Sequence, residues 1–280
     1  MKRELKNARI ILTGASSGIG RQLALQAAKA GAKLVLTARR VQLLEEVKTQ
    51  IESETGGNCA VELVVGDITV QETREAVVNR CVEAFGGVDV LINNAGAAAS
   101  GEFETGTPDR LERVMALNLT APVEMIRLVL PIMKKWKEAP AAQGKPIPPM
   151  IVNLSSVVGL RGVTHYSEYC AGKAAIRAFS QSIRTEFHRY GIDVLVVCPG
   201  STDTGFFTDY IENSGEPTWP HHNRVTPAYV AKQMLKAIRR GKMEIVPFFL
   251  GKVMKGMDYF FPKSLERAMV FFAEHPGVFK

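Results

Sequence analysis

Short apolar runs alternate with stretches of helical periodicity over about the first 200 residues of the chain. The apolar runs are Arg9–Leu12, Lys33–Thr37, Val61–Val65, Val88–Asn93, Met150–Leu154 and Asp193–Val197. The stretches with helical periodicity are Gly20–Ala30, Val41–Glu54, Thr69–Phe85, Leu111–Lys137 and Glu168–Tyr190. Continuous apolar runs are typical of strands that crossover helices bury on both faces. We therefore predict a doubly wound α/β fold, with a mostly parallel sheet and helices on both faces.

Charge and cysteine patterns exclude several classes of protein. The four cysteines are scattered, so we expect neither a disulfide framework nor a metal site. Ten basic and four acidic residues lie between Lys232 and Lys280, so this tail carries six of the seven net positive charges. A nearly neutral body argues against nucleic-acid binding. The N-terminus lacks a signal-peptide pattern and no run of about 18 apolar residues suggests a spanning helix, so we expect a cytoplasmic protein.

The first apolar run leads into a glycine-rich turn, TGASSGIG, and then into a helical stretch. Glycines allow a tight turn and a close approach of the backbone to a pyrophosphate, and the helix N-terminus offers free N–H groups. We predict a phosphate-binding loop formed by Gly14, Ser16, Ser17, Gly18, Ile19 and Gly20.

The TGxxxGxG spacing, the NNAG run that ends at Gly96 and the YxxxK spacing from Tyr169 to Lys173 resemble the short-chain dehydrogenase/reductase family in its compact, single-domain form. The resemblance covers roughly residues 10–204. It implies a Rossmann domain at 1–245, with a substrate lid at about 205–225, and a C-terminal amphipathic extension of the same domain at 246–280. It also implies an NAD(P)-dependent oxidoreductase that interconverts a carbonyl and a secondary alcohol, as a homodimer or homotetramer.

The second apolar run ends in Thr37-Ala38-Arg39-Arg40. An acidic residue at this point of a dinucleotide fold binds the ribose 2′-hydroxyl of NAD and repels the 2′-phosphate of NADP. An arginine can hold that phosphate through charge-assisted hydrogen bonds. We predict NADP(H), with Arg39 as the main contact and Arg40 as the second, and NAD(H) as the alternative. Many NADP-using relatives carry a basic residue where Ser17 stands.

The resemblance implies further cofactor contacts at three later strand ends. They are Asp67 and Ile68 at the adenine, Asn94, Ala95 and Gly96 in the NNAG motif, and Pro199, Gly200, Thr202 and Thr204 at the nicotinamide side. Asn93 is expected to hold neighbouring strands together rather than to contact the ligand.

Tyr169 and Lys173 are four residues apart, so they are neighbours on one helix face. The pKa of a phenol is near 10, and a nearby ammonium group lowers it by stabilising the phenolate. Tyr169 is therefore the candidate acid/base, and Lys173 is both its partner and a ribose ligand; both residues are also expected to contact the cofactor. Tyr166 is seven residues from Lys173, and Ser167 is expected to be the helix N-cap. Tyr166 should then lie just outside the helix, at the cleft.

Two further catalytic residues are implied by the resemblance. Ser156 stands thirteen residues before Tyr169, the family spacing for the serine that polarises the substrate carbonyl. Asn118 matches the asparagine that kinks its helix and links the lysine to a proton relay. From the residues alone, Asn118 could equally be a satisfied core asparagine. A cofactor-bound scaffold or redox sensor without turnover is the competing function.

The segment at 205–224 holds Phe206, Phe207, Tyr210 and Trp219. These aromatic residues indicate either an apolar carbonyl or alcohol substrate, or packing of the lid against the body. The adjacent His221 and His222 have no third ligand nearby and are expected to be surface residues.

The C-terminal tail is amphipathic and basic. Its first predicted helix places Leu250, Val253, Met254, Met257, Phe260 and Phe261 on one side, and a second apolar-faced segment follows Pro262. Lys252, Lys255 and Asp258 lie on the opposite side. We favour packing against a partner subunit or the lid, and peripheral contact with an anionic membrane is the alternative.

Overall fold

The computed structural model describes residues 1–138, 146–207, 210–213 and 224–275. The sequence interpretations of Trp219, His221 and His222 lie outside these residues.

The strands are β1 (Arg9–Thr13), β2 (Lys33–Ala38), β3 (Val61–Val65), β4 (Val90–Asn93), β5 (Ala99–Ser100), β6 (Met150–Leu154), β7 (Asp193–Val197), β8 (Glu212–Asn213) and β9 (Glu244–Ile245). Over the described residues, seven strands form one sheet in the order β3-β2-β1-β4-β6-β7-β9. Every pairing in that sheet is parallel. Strands β5 and β8 pair separately, beside the main sheet. The predicted doubly wound, mostly parallel fold is confirmed.

The helices are α1 (Gly18–Lys29), α2 (Val41–Thr55), α3 (Gln71–Phe85), α4 (Arg110–Met115), α5 (Ala121–Lys134), α6 (Ser167–His188), α7 (Pro227–Arg240), α8 (Phe249–Phe260) and α9 (Pro262–Glu274). The sequence patterns did not identify α7 or β9. The Thr226 side chain accepts a hydrogen bond from the Tyr229 N–H and so caps the start of α7.

Both faces of the sheet are buried, which explains why its strands read as continuous apolar runs. Ile10 and Leu12 of β1 face one core cluster, which includes Leu23 of α1. Ile11 faces the other cluster, which includes Met125 of α5. The alternation along β1 places a helical layer on each side of the sheet.

The single helix predicted at Leu111–Lys137 is interrupted. A π-helical turn, Ala116–Thr120, separates α4 from α5, and a short 3-10 turn, Trp136–Glu138, follows. Asn118 Nδ2 donates to the carbonyl oxygens of Val114 and Ala97 at 3.0 and 2.9 Å. A side chain that takes a backbone acceptor disturbs the helical ladder, which accounts for the wider turn.

By length and composition alone, the helical stretch Arg110–Glu138 is apolar enough to cross a membrane. This differs from the expectation that no run suggests a spanning helix. Met125, Ile126 and Val129 of this stretch are buried against the sheet. A core helix of a globular domain passes the same length test, so the finding is weak as a sign of membrane insertion.

Helix α6 begins one residue earlier than predicted. Ser167 is its first residue, and the Ser167 hydroxyl donates to the Glu168 carboxylate at 2.7 Å instead of capping the helix. Tyr166 occupies the N-cap position and therefore lies outside the helix, as expected.

Candidate active site

A cleft of about 680 Å³ opens along the carboxyl ends of the strands. This is the edge where ligands bind in open α/β sheets. The cleft is lined by the predicted residues Gly14, Ser16, Ser17, Gly18, Ile19, Gly20, Arg39, Arg40, Asp67, Ile68, Asn94, Ala95, Gly96, Ser156, Tyr169, Lys173, Pro199, Gly200, Thr202 and Thr204. Asn118 lies behind this lining and is 1% exposed.

The glycine loop is packed too closely to carry side chains at two of its positions. Gly14 has a φ of 65°, and a Cβ there would lie 2.8 Å from Ala95 Cα. A Cβ on Gly20 would lie 2.1 Å from the carbonyl oxygen of Gly14. The bare backbone at the start of α1 therefore faces the cleft, which fits the close approach of a pyrophosphate.

The two asparagines of the NNAG motif have different structural roles. Asn94 Nδ2 donates to the carbonyl oxygens of Thr13 and Gly14, both at 2.9 Å, and so fixes the loop to the end of β4. Asn93 Nδ2 donates to Asn153 Oδ1 at 2.8 Å, between neighbouring strands. Asn93 holds strands together, as the sequence predicted.

Two exposed arginines stand where β2 ends, and both line the cleft. The Arg40 guanidinium donates to Ser17 Oγ at 2.7 Å, so it reaches across to the glycine loop. Arg40 therefore brings a positive charge to the glycine loop.

Ser156 and Tyr169 meet inside the cleft. Ser156 Oγ accepts the Val158 N–H at 3.3 Å and donates to the carbonyl oxygen of Pro199 at 3.4 Å, and it stands close enough to the Tyr169 phenol to lower the pKa of that group. The preceding Ser155 instead donates to the carbonyl oxygen of Lys173 at 2.6 Å, which ties β6 to α6. Lys173 Nζ donates to the carbonyl oxygen of Leu154 at 3.0 Å and lies 5.8 Å from the centroid of the Tyr169 ring.

Burial dominates the ionisation of this pair. It raises the pKa of the Tyr169 phenol above its usual value, and the Ser156 hydrogen bond offsets only part of that rise. It lowers the pKa of Lys173 to about 8. The direction for Tyr169 is opposite to that expected from a neighbouring ammonium group. The reason is that both groups have lost water and Lys173 donates to a backbone carbonyl instead of the phenol.

Lys173→Met should make the protein more stable while removing activity. The pKa of Lys173 falls from 10.5 to about 8 on folding, so the folded state binds fewer protons. The free energy of unfolding therefore rises as the pH increases from about 8 to 10.5, and it is lowest below pH 8. At pH 7 the variant should gain roughly 3 kcal/mol, because a difference of one in pKa between the folded and unfolded states corresponds to about 1.4 kcal/mol. Thermal melts at neutral pH and near pH 10 check this, because the gain should shrink at the higher pH.

Lys236→Met is the matched control for this change, since Lys236 is exposed on α7. It should leave the melting temperature nearly unchanged at both pH values. A destabilised Lys173→Met variant at neutral pH would contradict the buried-charge explanation.

Asn118 combines satisfied and unsatisfied groups. Its amide nitrogen is bonded twice, but its Oδ1 is buried and has no hydrogen-bond partner among the described residues. A Cβ on Gly96 would lie 2.8 Å from that oxygen and 3.1 Å from Lys173 Nζ. Asn118 Oδ1 and Lys173 Nζ thus border the same small space beneath Gly96.

An ion-pair network that the sequence patterns did not reveal joins β8 to α6. Arg110 is almost fully buried and donates to Glu168 Oε1 at 2.7 and 2.9 Å and to Glu212 at 3.4 Å. Arg113 donates to Glu212 at 3.0 Å. The charged residues at the start of α4 were the only signal in the sequence, since the partners are distant along the chain.

Known proteins resemble the chain over most of its length. The family model described as short chain dehydrogenase matches residues 8–215. The chain is 29–36% identical, over 76–88% of its length, to mammalian dehydrogenase/reductase SDR family members 7 and 7B, and it spans 60–75% of their length. It is 32% identical to bovine 3-ketodihydrosphingosine reductase, with 85% of this chain and 70% of that protein covered.

Solved structures resemble the fold over most of the chain. A short-chain dehydrogenase from Sphingobium yanoikuyae in complex with NADPH is 32% identical, with a TM-score of 0.71 over 85% of this chain and 87% of that one. A short chain dehydrogenase/reductase from Burkholderia phymatum in complex with NAD shares the fold, with a TM-score of 0.80, 22% identity, and 95% and 96% of the two chains covered. The chain belongs to the short-chain dehydrogenase/reductase family and is an NAD(P)-dependent oxidoreductase.

Proposed function

We propose that the protein is an NADP(H)-dependent reductase that interconverts a fairly apolar carbonyl compound and its secondary alcohol. The observation that supports this most strongly is the meeting of Ser156, Tyr169 and Lys173 in a cleft whose other end holds the glycine loop and two arginines.

In this proposal, Tyr169 delivers a proton to the carbonyl oxygen during reduction and removes it during oxidation. Ser156 donates a hydrogen bond to the same oxygen and polarises the carbonyl. Lys173 holds the cofactor ribose and supplies positive charge to the phenolate, while Asn118 anchors the proton path behind it. Bound NADPH would supply the hydride. Because both Tyr169 and Lys173 are buried, the charge that each carries during turnover depends on the other.

The preference for NADP(H) rests on Arg39 and Arg40. Both arginines are positively charged, and no acidic residue takes their place. The end of β2 therefore attracts the 2′-phosphate instead of repelling it. Arg39 is the main contact in this proposal, and the hydrogen bond from Arg40 to Ser17 leaves Arg40 as the support. The NADPH complex of the Sphingobium yanoikuyae relative supports the same preference.

The residues at the far end of the cleft favour an apolar substrate. Val163, Phe206 and Tyr210 line it there, and the Phe206 ring lies 5.7 Å from the Tyr169 ring. The name of 3-ketodihydrosphingosine reductase describes a relative that reduces a lipid ketone. A screen of ketones and alcohols with both cofactors, followed by nicotinamide absorbance, tests the proposal. We expect NADPH-dependent turnover of apolar ketones, and binding of NADPH without any turnover would favour the scaffold alternative.

The tail packs one of its faces onto the body. A Cβ on Gly251 would lie 2.5 Å from a Val157 methyl group, and Met269 packs against the buried cluster that contains Tyr166. Arg161 on the body pairs with both Asp258 and Glu266 of the tail. The tail therefore contacts the body beside the cleft.

The other face of the tail is exposed and aromatic. Tyr259 and Phe260 are 80% and 70% exposed, and Phe249, Phe261 and Phe271 are exposed as well. Large exposed apolar side chains that lie together on a surface are typical of an interface, and the Tyr259 and Phe260 rings are 4.9 Å apart. We propose that a second copy of the chain covers it in a homodimer, or in a homotetramer built from such dimers, in the cytoplasm.

Replacing Tyr259, Phe260 and Phe261 together by serine should convert the dimer to a monomer. Sedimentation equilibrium gives the mass, and flotation with anionic phospholipid vesicles is the parallel measurement. Phe103→Ser is the control, because Phe103 is equally exposed but lies outside the tail. If the wild type is a monomer that binds vesicles, and the triple variant no longer binds them, the dimer proposal is wrong. The tail would then be a peripheral membrane contact.

A further inference from the structure

Two tyrosine hydroxyls at the substrate end of the cleft have no part in the proposed proton transfer. We propose that Tyr166 and Tyr210 form a second hydrogen-bonding point for the substrate, so that the preferred carbonyl compound carries another oxygen group remote from the reacting carbonyl. This inference rests on the proposed function and adds a substrate class to it.

The position of the pair supports this assignment. The hydroxyl oxygens of Tyr166 and Tyr210 are 3.1 Å apart, and both residues line the cleft. The ring centroids of Tyr166 and Tyr169 are 6.5 Å apart. A substrate whose carbonyl reaches Tyr169 therefore also lies beside the Tyr166 ring.

The hydrogen-bonding capacity of the pair is only partly used. Two hydroxyl groups carry two protons, and the bond between them consumes one. The accepting tyrosine keeps its own proton, and both oxygens keep acceptor capacity. Among the residues that the structure describes, neither hydroxyl has another hydrogen-bond partner. The surrounding cluster is apolar and includes Ala98, Val163 and Cys170.

A polar pair in an apolar wall is unfavourable unless its groups are bonded. The spare donor and acceptors of Tyr166 and Tyr210 therefore favour a substrate that supplies a complementary oxygen. An entirely hydrocarbon substrate would leave them unsatisfied when it displaced water from this end of the cleft.

The backbone fixes Tyr166 from one side. His165 has a φ of 65°, an uncommon conformation for a residue other than glycine. Its carbonyl oxygen accepts the Gly101 N–H at 3.0 Å. This turn directs Tyr166 into the cleft just before α6 begins.

The ion-pair network fixes Tyr210 from the other side. Two residues after it, Glu212 accepts from the Thr107 hydroxyl, Arg110 and Arg113. The Ile211 N–H donates to the carbonyl oxygen of Ala98 at 2.8 Å. Both hydroxyls are thus held in place by contacts that do not involve a substrate, as expected for a preformed recognition point.

Two matched pairs of ketones test the inference. The first pair is cyclohexanone with cyclohexane-1,4-dione, and the second is benzylacetone with its para-hydroxyphenyl derivative. The second oxygen is close to the reacting carbonyl in the first pair and far from it in the second. The ratio of kcat/KM within each pair is measured with NADPH for the wild type, Tyr166→Phe and Tyr210→Phe. Tyr229→Phe on the exposed side of α7 is the matched control.

We expect the wild type to prefer the oxygen-bearing member of at least one pair by about tenfold, the effect of one hydrogen bond. This must exceed the twofold statistical advantage of the dione. The preference should collapse in Tyr210→Phe and in Tyr166→Phe and persist in Tyr229→Phe.

Two results would overturn the inference: equal kcat/KM within both pairs for the wild type, or a preference that survives in both variants. A variant whose kcat/KM falls equally for both members of a pair still shows the preference. That result would show that the tyrosines only pack the lid. If neither pair is reduced although NADPH binds, the proposed function itself fails, and the inference fails with it.

Discussion

Tyr169→Phe should lower kcat for carbonyl reduction by about a thousandfold and leave NADPH binding unchanged. General acid–base groups contribute about 10²–10⁴-fold to a rate, and the phenol is the proposed proton donor. The phenylalanine ring preserves the contacts that the Tyr169 ring makes with Tyr166 and Phe206. The loss should therefore appear in the chemical step. Steady-state kinetics and a fluorescence titration with NADPH measure the two quantities separately.

Tyr229→Phe removes a hydroxyl of the same kind from an exposed position and is the control. It should reduce kcat by less than twofold. If Tyr169→Phe retained most of the wild-type rate, the proton would have to come from another group, and the assignment of Tyr169 would be wrong. Weaker NADPH binding together with a lower kcat would instead indicate that the change had disturbed the cleft.

Arg39→Glu should weaken NADPH binding by about 100-fold and affect NADH far less. A hydrogen bond to a charged group contributes about 1.5–3 kcal/mol, and the carboxylate adds repulsion of the 2′-phosphate. Each 1.4 kcal/mol corresponds to a factor of ten in affinity. Arg40→Glu should have the smaller effect, because Arg40 is the secondary contact. Dissociation constants for both cofactors at one fixed salt concentration give the comparison.

The matched control for this charge reversal is Lys48→Glu. Lys48 lies on α2, outside the cleft lining, and the change alters the net charge by the same amount. It should leave the ratio of NADPH to NADH affinity unchanged. If Arg39→Glu and Lys48→Glu weakened NADPH binding equally, the effect would come from the general change in charge and not from a contact made by Arg39.

Local patterns in the sequence were sufficient to predict the fold, and they favoured one of two tyrosines as the acid/base. A strand buried on both faces must be apolar throughout, so the long strands of the main sheet could be located from their apolar runs alone. The spacing of four residues to Lys173 selected Tyr169 over Tyr166, and α6 places both residues of that pair in the cleft. Residues such as Ser156 and Asn118 needed the resemblance to a family, because a serine or an asparagine alone carries no such signal.

Tertiary contacts account for what the sequence did not show. Arg110 pairs with residues 58 and 102 positions away, and no local pattern predicts such partners. The two-residue strand β9 is too short for periodicity to reveal. The direction of the Tyr169 pKa was also missed, because it depends on how completely the pair is buried and on Lys173 donating to Leu154.

The most direct test of the proposed reaction is to follow the hydride itself. NADPH carrying deuterium at both C4 positions of the nicotinamide is mixed with enzyme and a reducible apolar ketone, and the product alcohol is analysed by mass spectrometry. We predict one deuterium on the carbinol carbon for each NADPH consumed, and loss of this product in Tyr169→Phe. Oxidation of NADPH without deuterium in the alcohol would contradict hydride transfer to the carbonyl.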